Sequence, residues 1–140
     1  MSRSALALAL AALVFSACQS SSSKQGGPVA PGATIAIHDQ AGNAGPLRLS
    51  SLKQLGVDVA YQGDPGTHAL RLAFIAPNGQ LYTAVPATLE ADSGGVGSAS
   101  QALEVAGTPI EGYHMTGIWQ VTLSVDRGPI LASASVDVVE

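Results

Sequence analysis

Residues 117–128, GIWQVTLSVDRG, decide the fold. Trp119, Val121, Leu123 and Val125 fall on one parity, and Gln120, Thr122, Ser124 and Asp126 on the other. Successive side chains of an extended chain point to opposite faces. The stretch is therefore a strand with one apolar and one wet face, as in an antiparallel sheet covered on one side. Asp126-Arg127-Gly128-Pro129 is turn chemistry and predicts a hairpin into a last strand, where Ile130, Ala132, Ala134, Val136 and Val138 share a face.

The same period recurs toward the N-terminus. Leu70, Leu72 and Phe74 lie together in THALRLAFIAP, with Arg71 opposite; Val57, Val59 and Tyr61 do so in GVDVAYQG, and Ile35 and Ile37 in ATIAIHD. Asp64-Pro65-Gly66 and Pro77-Asn78-Gly79 separate these runs as turns, with Gly or Asn supplying positive φ. SSLKQLG, residues 50–56, reads as one helical turn stopped by Gly56, and SGGVGSAS, residues 93–100, as an exposed flexible loop. Seven or eight short strands within residues 33–140 predict an all-β domain, a single antiparallel two-sheet sandwich.

RLAFIAPNGQLYTA (residues 71–84) followed by GYHMTGIWQVTLSVDRGPILASASVDVV (residues 112–139) resembles immunoglobulin-like modules of bacterial exported proteins. In those a Pro-x-Gly turn leads to an aromatic residue, a Gly-x-Trp opens a later strand, and a hairpin closes the domain. The resemblance implies an immunoglobulin-like sandwich built around Trp119. With no cysteine pair in the domain, that indole is expected to pack on aliphatic side chains alone. Such sandwiches serve many unrelated functions, so the fold by itself implies no activity.

The N-terminal residues read as targeting. Met1-Ser2-Arg3 is a short positive start, Ala5 to Phe15 is unbroken apolar chain too short to span a bilayer, and Ser16-Ala17 are small residues before a cleavage point. Cys18 is the one cysteine, so it has no internal disulfide partner. Its setting resembles the lipobox of bacterial lipoproteins, with Phe15 where that family prefers Leu. The resemblance implies that residues 1–17 are a lipoprotein signal peptide and that the Cys18 sulfur carries a diacylglyceryl group. It also implies that Gln19, not being Asp, sends the protein to the outer membrane of the cell envelope. More than one acyl chain is what makes such an anchor firm. Residues 19–32, QSSSSKQGGPVAPG, then form a Ser/Gly/Pro tether spanning about 20 Å root-mean-square.

Losing residues 1–17 removes Arg3 and leaves five Lys and Arg against ten Asp and Glu, a net charge near −5. No basic cluster exists, which argues against nucleic acid as a partner, since that affinity rests on neutralising phosphates. His38, His68 and His114 are the three histidines. They sit at strand ends, where histidines are expected to be solvent-exposed, without close ligand spacing, although Met115 beside His114 would suit copper; no metal or other cofactor is expected. Asp39 near Asn43, and Asp64, read as turn formers rather than calcium ligands. No Gly-x-Ser-x-Gly elbow is present, and Glu90, Asp92 and Glu104 have no stated reason to converge, so no catalytic residue is assigned and the chain is read as not an enzyme. Tyr82, Tyr113 and His114 are the candidate binding surface. The sequence thus points to a non-enzymatic, lipid-anchored envelope protein that contacts another protein. The alternative is a glycan or small-ligand binding module.

Overall fold

The computed structural model describes residues 31–140. Cys18, the signal-peptide reading and all but the last two residues of the tether lie outside the described residues. Eight strands follow in order: β1 (Gly32–His38), β2 (Leu47–Arg48), β3 (Gln54–Gln62), β4 (Gly66–Ile75), β5 (Leu81–Ala91), β6 (Val96–Glu104), β7 (Gly117–Val125) and β8 (Ile130–Val139). One helical turn, α1 (Pro109–Gly112), precedes β7.

The strands form two sheets, β1-β3-β6 and β2-β8-β7-β4-β5. Every pairing is antiparallel except the short parallel contact of β2 with β8. Because β3 pairs with β6 and β4 with β7, the chain crosses between sheets instead of meandering. This is an immunoglobulin-like sandwich, with β5 hydrogen-bonded to β4 in the larger sheet.

The alternation read from the sequence sets the core. Val57, Val59, Tyr61, Leu70, Leu72, Phe74, Trp119, Val121, Leu123, Val136 and Val138 are all buried, and Arg71 is exposed on the far face. Trp119 has 0% exposure. Its packing is not purely aliphatic: the Tyr82 ring meets it edge-on at 5.5 Å, and its Nε1 donates to the Met115 carbonyl at 2.9 Å. Thr108 caps α1, accepting from the Ile110 amide at 3.3 Å, and Pro109 stands in its first turn. Buried Ile110 plugs that end of the sandwich.

Four further expectations are corrected. The SGGVGSAS stretch is not a loop: β6 begins at Val96, leaving a tight turn over residues 92–95. Its side chains are too small to show a hydrophobic rhythm, and pairing with β3 along its whole length makes it a strand. The helical turn around residue 50 is a 3₁₀ turn, Leu49–Ser51. Gly56 does not stop it but lies inside β3, where a Cβ would come 2.3 Å from the His38 ring packed over it. Ile130 leaves the apolar face and is 62% exposed. The register passes from Leu123–Ala132 to Ser124–Ile130, so Leu131 is the extra residue of a bulge and packs on the core instead. The fourth correction, His68, belongs to the site.

Candidate functional site

The antiparallel register puts three turns at one pole, β3–β4, β5–β6 and β7–β8, together with the start of β1. At the opposite pole lie the Pro77-Asn78-Gly79 turn, α1, and the ends of β1 and β8.

The three candidate binding residues collect at the second pole but do not make one surface. The β4–β5 register passes from Phe74–Thr83 to Ile75–Leu81, so Tyr82 is the extra residue of a bulge. That bulge turns its ring onto Trp119 and leaves it half-buried. Tyr113 follows α1 and is 80% exposed. His114 has φ 49° and holds its Nδ1 3.4 Å from Glu140 Oε1 on the exposed surface.

His38 and Asp58 meet on the outer face of the smaller sheet, His38 Nε2 to Asp58 Oδ2 at 3.1 Å. Ser100 Oγ donates to the other carboxylate oxygen at 2.8 Å. The carboxylate stands between serine and histidine, so His38 has no contact through which to take the hydroxyl proton. Asp39 forms a turn, accepting from the Ala41 and Asn43 amides at 2.8 Å each. Among the described residues, no three of His, Cys, Asp and Glu gather where one ion could bind them.

His68 is the residue whose role the sequence reading missed. Expected at an exposed strand end, it is 7% exposed and is the one buried charged or polar side chain among the described residues. Its Nδ1 lies 2.6 Å from Asp126 Oδ2, and its Nε2 2.7 Å from the Asp64 carbonyl. Both neighbours are acceptors, so the ring satisfies both only as the doubly protonated imidazolium. Tyr61 packs against it at 4.8 Å. The signal was present: His68 shares parity with Leu70, Leu72 and Phe74, which is the buried face. The imidazolium ties the β3–β4 turn to the β7–β8 hairpin.

This latch makes stability depend on pH. The Asp126 carboxylate, then the Asp64 carbonyl, hold the His68 pKa above its usual value; His68, then the Ala69 amide, hold the Asp126 pKa below the usual carboxylate value. The histidine contribution is fully present below about pH 6.5 and is lost as pH rises through the raised folded value. The aspartate contribution is present above about pH 4 and is lost as pH falls through the lowered value. The melting temperature should therefore fall as pH rises from about 6 to about 8. His68→Gln should lower it at pH 6 and flatten that slope. A slope unchanged in the variant would contradict the latch.

One edge stands out as unpaired beyond Gly97, which lies against the Glu90 and Ala91 backbone at the end of β5. β6 ends the smaller sheet, bonded to β3 alone, and no residue along it is buried. It has no proline and one charged residue, Glu104, at its end. The Gly63 amide donates to the Gly95 carbonyl at 2.9 Å and the Val105 amide to the Lys53 carbonyl at 2.9 Å, which fixes the odd positions of β6 as those bonded to β3. Ser98, Ser100 and Ala102 therefore aim their amides and carbonyls away from the sheet. The other sheet's edge strand, β5, is interrupted by Pro86.

No family model and no curated protein sequence matches the chain. Solved structures do. A β-glucosidase from Kluyveromyces marxianus is 13% identical at TM-score 0.49, the match covering 79% of this chain and 14% of that one. The CARDB domain of a Pyrococcus furiosus protein, in complex with di-metal ions, is 15% identical at TM-score 0.48, covering 82% and 97%. A Listeria innocua β-glucosidase in complex with isofagomine is 12% identical at TM-score 0.48, covering 79% and 16%. This chain thus spans only 14–16% of those β-glucosidases. Likenesses of this size assign it no activity and no ligand.

Proposed function

We propose that this chain is a non-enzymatic, lipid-anchored protein of the cell envelope, outer membrane included, whose sandwich contacts a partner protein by adding a strand at β6. The observation that carries the reading is the outward row of backbone donors and acceptors at Ser98, Ser100 and Ala102, on an edge with neither proline nor charge along its middle. Strand addition draws affinity from such main-chain groups, and proteins usually blunt edges that are not used. The small solvent-facing side chains Ser98, Ser100 and Ala102 would leave the main chain of β6 accessible to a second strand pairing along its edge. Cys18 supplies the anchor in this reading, and residues 19–32 the reach.

Two measurements test it. Cys18→Ser should release the protein from membranes or leave its precursor uncleaved, and labelled fatty acid should enter the wild type only. A photoreactive residue at position 98 should capture one defined envelope partner. Ala102→Pro, which removes an outward donor without touching the β3 ladder, should abolish that capture while the tryptophan emission of the folded domain is kept. Capture unaffected by the proline would defeat the strand-addition reading.

A further inference from the structure

We infer that the hollow between Arg71 and Arg127, on the outer face of the larger sheet, binds a phosphoryl group. All ten acidic residues lie within residues 31–140, against four basic ones, Arg48, Lys53, Arg71 and Arg127. Two of those four share a hollow of about 520 Å³ whose lining contains no acidic residue. Arg71 sits in register between Ser124 of β7 and Pro86 of β5, and Arg127 follows three residues after Ser124. Among the described residues neither guanidinium has an ion-pair or hydrogen-bond partner, since the three ion pairs all use histidine. Arg48, by contrast, donates to the Glu140 carbonyl. In a domain so rich in carboxylates, two unpartnered cations line one hollow over a small apolar floor of Ala69, Ala84 and Pro86, where an anion would neutralise both.

Arg127 is also held in place. Asp126 and Arg127 have φ of 51° and 61°, and the Gly128 amide donates to the Val125 carbonyl at 2.9 Å, which makes a type I′ hairpin turn. Its second central position favours glycine, and Gly128 is only one residue on. Asp126 fixes the frame: its amide donates to the Ala69 carbonyl at 2.7 Å, and its Oδ1 accepts from the Ala69 amide at 2.9 Å. The turn therefore presents an arginine from a left-handed backbone beside the exposed row of Arg71 and Ser124. A phosphate monoester carries nearly two negative charges at neutral pH and matches two planar guanidinium forks plus a hydroxyl donor; a lone carboxylate would leave one fork unneutralised. The group can come from a lipid headgroup or from a soluble phosphate ester.

The test is titration of the purified protein with inorganic phosphate, glycerol phosphate and acetate, beside flotation of the Cys18→Ser protein, which has no acyl chains of its own, with vesicles of phosphatidic acid in phosphatidylcholine and of phosphatidylcholine alone. Saturable phosphate binding is expected, weakened about tenfold by Arg71→Gln and by Arg127→Gly. The latter relieves the positive φ, so its loss of binding cannot be charged to misfolding. Arg71→Lys should keep part of the affinity. Flotation with phosphatidic acid but no response to glycerol phosphate assigns a lipid source; response to glycerol phosphate without flotation assigns a soluble one. Acetate bound as tightly as phosphate, no saturable binding, or affinity unchanged in both variants would overturn the inference.

Discussion

Trp119→Ala should unfold the domain or bring it to the edge of unfolding. Trp119 is fully enclosed between the sheets with Tyr82 edge-on to it, so truncation empties the centre of the core. Loss of a buried tryptophan costs about 3–5 kcal/mol, against a total stability of about 5–15 kcal/mol for a domain of this kind. The Met115 carbonyl also loses its donor. Trp119→Phe separates the two effects, since it keeps most of the ring but not the hydrogen bond, and should cost distinctly less. Denaturant melts of the three proteins check this. Emission of Trp119, the one tryptophan, should be that of an indole shielded from water.

The second large effect is expected at Gly95. This buried glycine has φ 80°, and a Cβ there would stand 1.9 Å from the Gly63 carbonyl oxygen. The neighbour is backbone, so no rotamer change relieves the clash. Left-handed geometry alone costs a side-chain-bearing residue about 1–2 kcal/mol. Separating the strands also loses the Gly63–Gly95 hydrogen bond, about 1 kcal/mol more. Gly95→Ala should therefore destabilise by about 2–4 kcal/mol and loosen the start of β6. Gly94→Ala next to it, where the added atom meets only a carboxylate oxygen at 3.4 Å, is the mild control.

How much could be read beforehand depended on side-chain size. β3, β4 and β7 announce themselves because large apolar residues alternate with polar ones, and that rhythm is the packing itself. β6 does not, because VGSASQALE turns only small or half-buried side chains such as Ala99 and Leu103 toward the core and owes its conformation to the ladder with β3, a partner more than forty residues away in the pairing of Asp58 with Ser100. The candidate binding residues fared unevenly for a related reason. Tyr113 is exposed, as a binding tyrosine must be, whereas Tyr82 is turned inward by a bulge that period-two counting cannot see. His68 is legible by its parity with Leu70, Leu72 and Phe74, while its place at the start of a strand argues for exposure. Arg71 could be placed on the outer face from the alternation, but its pairing with Arg127 needed the turn geometry that Asp126 imposes.

On the proposed function, the outward edge of β6 is open in the protein alone and closed by its partner. Amide hydrogen exchange at single-residue resolution tests it directly. In the purified protein Gly97, Ala99, Gln101 and Leu103 should exchange slowly and Ser98, Ser100 and Ala102 fast. In the complex with the partner captured from position 98, the three fast amides should become protected. Uniform protection along β6 in the protein alone, or fast exchange of the three amides persisting in the complex, would contradict the account.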